Sequence, residues 1–241
     1  GSVQPIAEAG ALIKKMNPNT LFHVDAVQGF GKAKIFPKKM NIDLMSVSSH
    51  KIHGPKGIGA LYVRKGRNIK PFIVGGGQEK HFRSGTENVP GIVGFGKAAE
   101  LACSNLEEHA QKQSKIRDEI IEKVLDKIPE AYLNGDRDQR LPNVINFRFK
   151  AIEGESLILL LDANGYQTST GSACSTGSLD PSHVLMAIGL PHEVAHGSLR
   201  LSLGRYSTEE DVDYILEKLP EIVKTLRAMS PVWPGKPDGT L

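Results

Sequence analysis

Residues 46–59 read Ser46-Val-Ser-Ser-His-Lys-Ile-His-Gly-Pro-Lys-Gly-Ile-Gly59. Apolar runs at 42–47 and 58–63 flank Lys51, so this lysine is predicted to lie in the connection between two strands. Lysine is rarely buried without a partner, and hydroxyls, imidazoles and a turn rich in glycine and proline surround this one. Lys51 could therefore hold an aldehyde cofactor as a Schiff base. The alternative is a surface turn with a solvated lysine.

The composition is that of an ordinary globular chain. Its 241 residues are 39% hydrophobic and 24% charged, which allows one sizeable core or two small ones. The net charge of +3 is small and no basic run alternates with aromatic residues, so nucleic acid is not an expected partner. No apolar run reaches about 18 residues, so no membrane partner is expected. Cys103 and Cys174 are too few for a disulfide framework, and we expect a cytoplasmic location.

The order of predicted elements indicates an α/β chain in two parts. Helices are predicted at 5–16, from residue 90, at 106–128, 154–163 and 182–188, and after a capping box at 207–210. Strands are predicted at 21–24, 42–47, 58–63, 143–149, 166–169 and 199–203, with another near residue 73. The composition changes character after the helix predicted at 106–128. We therefore divide the chain into domains 1–105 and 106–241.

Several polar residues at predicted strand ends and loops suggest a pyridoxal phosphate site. The protonated pyridine nitrogen needs a carboxylate partner, and Asp25 follows a strand at the end where ligands bind in parallel sheets. Gln28, three residues later, could bond the ring hydroxyl. Hydroxyls and an imidazole suited to phosphate are available at Ser48, at His50 and in the loop that ends at Thr86. Each of these residues alone is a weak signal, and Asp25 and Thr86 could instead be ordinary turn residues.

Two further sets of side chains, the two cysteines and a pair of histidines, are candidates for a chemical role. Cys174 lies among small residues in the segment 169–178, where an accessible thiol could act as a nucleophile. Cys103, in contrast, is predicted to be a core residue of a helix. His50 and His53 are three residues apart, but no matching carboxylate or thiol pattern accompanies them, so a zinc site is not expected.

Five segments resemble, in the right order, the signatures of the cysteine desulfurases, pyridoxal phosphate enzymes of fold type I related to class V aminotransferases. They are His23-Val-Asp-Ala-Val-Gln28, Ser48-Ser-His-Lys51 with Gly54-Pro-Lys-Gly57, Arg83-Ser-Gly-Thr86, Gly171-Ser-Ala-Cys174 and Arg200-Leu-Ser-Leu-Gly-Arg205. The resemblance covers about residues 3–233. It implies the later part of a large, mainly parallel-sheet domain that binds pyridoxal phosphate, followed by a smaller α+β domain that carries the cysteine loop.

The resemblance also implies a role for each candidate site residue. Lys51 would be the Schiff-base lysine, Asp25 the pyridinium partner and Gln28 the ligand of the ring oxygen. The implied phosphate ligands are Ser48, His50 and Thr86. Thr86 would reach across the interface of a homodimer. Arg200 would clamp the substrate carboxylate, and the candidate catalytic residues are Cys174, Lys51 and His50.

The implied reaction converts L-cysteine to L-alanine and leaves the sulfur on Cys174 as a persulfide. An iron–sulfur scaffold or another sulfur-acceptor protein would receive it. A selenocysteine lyase is one alternative, and a non-catalytic module that docks a sulfur acceptor is another. Family members carry a preceding region with a histidine that stacks on the cofactor ring and a small-residue loop that contacts the phosphate. We therefore expect this chain to be one piece of a longer enzyme and, alone, not to bind pyridoxal phosphate productively.

Overall fold

The computed structural model describes residues 1–172 and 180–234, which form two compact units. The first unit is Val3–His109, and the second contains Gly1–Ser2 and the described residues from Ala110 onward. Their boundary lies inside a helix, a few residues after the predicted domain division at residue 106. Within the described residues, no helix is long and apolar enough to cross a membrane.

The first unit carries a three-stranded sheet. Its elements are α1 (Ile6–Met16), β1 (His23–Asp25), β2 (Leu44–Ser48), β3 (Gly59–Val63) and α2 (Val89–Ser104). The strand order is β1-β2-β3, with β1 and β2 parallel and β2 and β3 antiparallel. The connection from β2 to β3 is too short for a parallel crossover, which explains the antiparallel pair. The strand predicted near Ile73 is wrong, because residues 70–74 form no strand and Phe72 is 98% exposed.

The two faces of this sheet differ in character. Val24 and Met45 are buried in a core against which the partly buried Ile6 of α1 packs. Successive strand residues point to opposite faces, so His23, Asp25 and Ser46 share the other face. On that face His23 and Asp25 are exposed. The candidate cofactor residues of the sheet therefore lie on the side away from the core.

The second unit packs helices on one face of an antiparallel sheet. Its elements are α3 (Leu106–Lys127), which begins in the first unit, β4 (Ala131–Leu133), β5 (Val144–Phe149), α4 (Gly154–Ala163), α5 (His183–Ala187), α6 (His192–His196), β6 (Ser198–Ser202) and α7 (Glu209–Met229). The strand order is β4-β5-β6. The core joins side chains from β5, β6, α3, α4 and α7 that are fully buried, among them Phe147, Leu199, Ile121, Leu157 and Leu219.

Three short segments of the second unit differ from the prediction. The strand predicted at 166–169 is wrong, since only a single bridge joins Ser169 to Arg200 there. Two short elements, β4 and α6, were not predicted. They contain three and five residues, which is too few for a hydrophobic period to be visible in the sequence.

The last helix is capped one residue later than predicted. Thr208 Oγ1 accepts a hydrogen bond from Asp211 N at 3.3 Å, and Asp211 Oδ2 accepts one from Thr208 N at 3.0 Å. The predicted box of Ser207 and Glu210 is therefore wrong. The Ser207 hydroxyl instead accepts a hydrogen bond from Gly204 N at 3.0 Å, so it belongs to the preceding turn.

The prediction that Cys103 is a core residue is also wrong, because its side chain is exposed. The buried face of α2 consists of Gly91, Phe95 and Ala98, spaced at helical intervals. Ala102 continues this face and is half-buried, whereas Cys103 lies one residue further round the helix. An apolar neighbourhood in the sequence did not reveal which side of the helix the thiol occupies.

Candidate active site

The Lys51 segment is a short 3₁₀ helix, Ser49–Ile52, that follows β2 directly. Ile52 and Ser49 are buried, and Ile52 packs with Phe95 and Ala98 of α2. His50 is exposed and Lys51 is half-buried. Burial of the first and last residues of the turn thus leaves His50 exposed and Lys51 partly exposed between them.

Gly54 lets the chain pass close behind this turn. Its amide donates a hydrogen bond to Ser49 O at 3.0 Å. A Cβ atom at Gly54 would clash with Ser49 Oγ and lie 3.0 Å from Ala98 Cβ. The glycine is therefore required by close packing, and the turn that carries Lys51 is held in place from its buried side.

Ser48 and His50 form a hydrogen-bonded pair next to Lys51. Ser48 Oγ and His50 Nδ1 are 2.8 Å apart. Ser48 is the last residue of β2, so the pair lies at the carboxyl end of that strand. A hydroxyl and an imidazole are both suitable donors to a phosphate group.

Asp25 ends the neighbouring parallel strand. In the register of β1 and β2, Asp25 stands opposite Ser46. Ser46 precedes Ser48 by two residues on β2, so both serines lie on the same face as Asp25. Asp25 Oδ1 accepts a hydrogen bond from Val27 N at 3.0 Å. Gln28 Oε1 accepts one from Lys32 Nζ at 3.2 Å. The structure therefore brings the carboxylate of Asp25 and the Ser48 side chain to the same end of the sheet.

This set of groups fits pyridoxal phosphate by its chemistry. The cofactor presents a phosphate, an aldehyde and a ring nitrogen, which call for hydroxyl and imidazole donors, an amine and a carboxylate, respectively. Ser48 with His50, Lys51 and Asp25 supply these groups at the ends of β1 and β2. The side chains thus match the cofactor in their chemical types and in their positions at the ends of neighbouring strands.

Thr86 is not joined to these residues within the first unit. It is exposed in the loop before α2, and none of the described residues links it by a hydrogen bond to Ser48 or His50. The loop is anchored by Ser84, which is buried and whose hydroxyl donates to Ile73 O at 2.8 Å. The phosphate-binding role of Thr86 stays a prediction.

The remaining predicted site residues belong to the second unit. Arg200 is half-buried on β6, where it pairs with Asn146 of β5. Its backbone also bridges to Ser169, the first residue of the segment 169–178. Cys174 lies in 173–179, outside the described residues. The roles of Arg200 and Cys174 therefore also stay predictions.

His23 is a residue of this site to which the sequence motifs assign no role. Its Nε2 lies 2.8 Å from Ser46 Oγ, on the face that carries Asp25. A usable signal was present, since His23 precedes Asp25 by two residues and a strand places such residues on one face. The hydroxyl partner came from another strand and could not be identified without the register.

Comparison with known proteins supports the resemblance found in the five segments. The Aminotransferase class-V family matches residues 1–215. The cysteine desulfurase IscS of Clostridium botulinum is 57% identical over 235 residues, and that of Methanosarcina thermophila is 57% identical over 234 residues. Each alignment covers 97% of this chain but only 59% and 57% of the respective relative. The family resemblance is confirmed, and the chain spans less than two thirds of the length of these relatives.

Solved structures with the same fold agree with this result. A NifS-like protein matches with a TM-score of 0.85 and 42% identity, covering 94% of this chain and 58% of that protein. A NifS-like protein from Rickettsia africae has the same TM-score at 36% identity, with coverages of 93% and 59%. SspA in complex with cysteine has a TM-score of 0.68 at 39% identity, with coverages of 86% and 56%. The predicted α/β fold of the fold type I enzymes is confirmed.

Proposed function

Because the chain belongs to the aminotransferase class-V family, we propose that the protein carrying it is a pyridoxal-phosphate-dependent cysteine desulfurase. The reaction takes the sulfur of L-cysteine, leaves L-alanine and loads the sulfur on Cys174 as a persulfide. One observation of the structure carries the proposal: Lys51 lies beside the hydrogen-bonded pair of Ser48 and His50, at the strand end next to Asp25.

The first unit would hold the cofactor. Lys51 would bind it covalently through Nζ, and Asp25 would pair with the protonated ring nitrogen. The side chains that would bind its phosphate are Ser48 and His50, with Thr86 from a neighbouring subunit. Gln28 would contact the ring oxygen. When bound, pyridoxal phosphate supplies an electron sink for a carbanion at the substrate Cα.

The chain's own groups perform the remaining tasks. As a free amine, Lys51 would carry a proton to and from substrate carbon atoms. Arg200 offers a planar guanidinium that suits the two oxygens of the substrate carboxylate. The Cys174 thiolate attacks the substrate sulfur, so a new S–S bond forms as the bond from sulfur to Cβ breaks. The electron pair of the broken bond stays with the substrate, which leaves as alanine after protonation.

We also propose the partners of this reaction. L-Cysteine as substrate is supported by the names of the curated relatives and by the solved structure of SspA with cysteine. The persulfide on Cys174 would pass to an acceptor protein such as an iron–sulfur scaffold. A two-fold homodimer would bring the partner's copy of Thr86 to each phosphate site. Sedimentation of an active full-length protein as a monomer would contradict the dimer.

The proposal is tested by cysteine variants of the full-length protein. Cys174→Ala is expected to keep the visible absorbance of the bound cofactor but to lose sulfide release from L-cysteine. Cys103→Ala is the matched control and should keep both, since Cys103 is exposed near the end of α2. Lys51→Ala should lose the cofactor absorbance itself. Normal sulfide release by Cys174→Ala would refute the mechanism, and a strong preference for selenocysteine would favour a selenocysteine lyase.

A further inference from the structure

A hydrogen-bonded pair lies beside Asp25 on the exposed face of the first sheet. His23 Nε2 is 2.8 Å from Ser46 Oγ. In the parallel register His23 stands opposite Leu44, and Asp25 stands opposite Ser46. The hydrogen bond therefore runs diagonally from β1 to β2. The imidazole of His23 must lean toward the carboxyl ends of the strands, where Asp25 lies.

The Asp25 carboxylate is flanked on two sides. From the turn, Val27 N donates a hydrogen bond to Oδ1 at 3.0 Å. From the neighbouring strand, Ser46 is its register partner, and adjacent strands lie about 5 Å apart. In residues 1–172 and 180–234, nothing donates a hydrogen bond to the second carboxylate oxygen. One oxygen is thus fixed by the backbone, and the other is available to a ligand.

We propose that His23 and Ser46 are positioning residues for Asp25, which keep its carboxylate directed at the ring nitrogen of the cofactor. This inference rests on the proposed function. If His23 donates its Nε2 proton to Ser46, the Ser46 hydroxyl can donate its own proton toward Asp25. A hydroxyl held in this direction orients the carboxylate, which must face the protonated ring nitrogen of the cofactor.

The pair is not needed to join the two strands. Backbone hydrogen bonds already connect β1 and β2, including one from Ala26 N to Ser46 O at 3.0 Å just beyond Asp25. A role limited to the sheet would affect stability alone. A positioning role would also change the affinity for the cofactor and its absorbance maximum, because both depend on the carboxylate that faces the ring nitrogen.

The experiment titrates pyridoxal phosphate into the full-length apoprotein and follows the visible absorbance. His23→Ala and Ser46→Ala are each expected to weaken binding about tenfold or more, as removal of outer-shell partners does for metal ligands. Each should also shift the absorbance maximum. Because the two residues act as one pair, the double variant should bind about as weakly as either single variant. His23→Gln keeps a side-chain donor and should recover part of the loss.

His183→Ala is the matched control, because His183 is exposed on α5 in the second unit, and it should bind like the wild type. Wild-type affinity in His23→Ala, additive losses in the double variant or no recovery in His23→Gln would each overturn the positioning role. A weaker affinity with an unchanged absorbance maximum would assign the pair to the sheet and overturn it too. If the wild type binds no pyridoxal phosphate, the proposed function itself fails and the inference falls with it.

Discussion

The buried carboxylate of Asp43 predicts how the first unit responds to acid. Asp43 is fully buried between Ile42 and the start of β2. Its Oδ2 accepts hydrogen bonds from Lys14 Nζ at 2.5 Å and from Phe22 N at 2.9 Å. Its Oδ1 accepts one from Arg67 Nε at 2.8 Å. A single charge thus links α1, the residue before β1 and the segment after β3.

The size of the effect follows from the pKa of this carboxyl. Burial raises the pKa, but the hydrogen bonds from Lys14, the Phe22 amide and Arg67 outweigh it and lower the pKa from 3.8 to about 2. This lowering corresponds to at most about 2.5 kcal/mol of unfolding free energy at neutral pH. Because Lys14 and Arg67 are 16% and 30% exposed, solvent screening reduces the contribution to about 1 to 2 kcal/mol.

The direction of the pH dependence is fixed by the lower pKa in the folded state. The stabilisation is fully present above about pH 5, falls progressively as the pH passes through 4 and 3, and is lost below about pH 2. In Asp43→Asn an NH2 group replaces one carboxylate oxygen. This group cannot accept the hydrogen bonds of the donors that surround it. We therefore expect the variant to be about 2 to 4 kcal/mol less stable at neutral pH and to lose less stability in acid.

The measurement is native-state hydrogen exchange of the amides of β1 and β2 in the full-length protein, from pH 7 to pH 3. This method reports the local unfolding free energy of the first unit rather than a global value. Glu87→Gln removes an exposed carboxylate of the same unit and should match the wild type. A parallel fall in stability for wild type and Asp43→Asn between pH 5 and pH 3 would refute the reasoning.

Three other substitutions test packing and capping. Gly54→Ala should cost about 1 to 3 kcal/mol and reduce cofactor retention, because the new methyl group would clash with Ser49 Oγ behind the Lys51 turn; an unchanged Tm would show that the turn is not closely packed. Phe147→Ala should cost about 3 to 5 kcal/mol by leaving a cavity in the second unit, measured by urea denaturation, and a loss below 1 kcal/mol would contradict full burial. Thr208→Ala should cost about 1 kcal/mol with no change in cofactor absorbance, whereas an effect on absorbance would argue against a capping role alone.

The sequence could predict those parts of the candidate site whose functional side chains lie close together along the chain. Ser48, His50 and Lys51 lie within four residues, so one short turn after one strand places them together. The need for a tight turn at Gly54 was also visible in the residue types. For Asp25 the position at a strand end was predictable from the short apolar run before it. No knowledge of distant contacts was required for any of these.

The sequence by itself therefore determined the family, the order of the main elements and the kinds of groups offered to a cofactor. Only the tertiary structure decided which residues become neighbours across strands, as with His23 and Ser46, and which side of a helix is covered, as with Cys103. The buried carboxylate of Asp43 likewise accepts hydrogen bonds from three separate segments of the chain. The physical reason is that register and burial depend on pairing and packing between distant segments, whereas motif and periodicity are properties of a single short window.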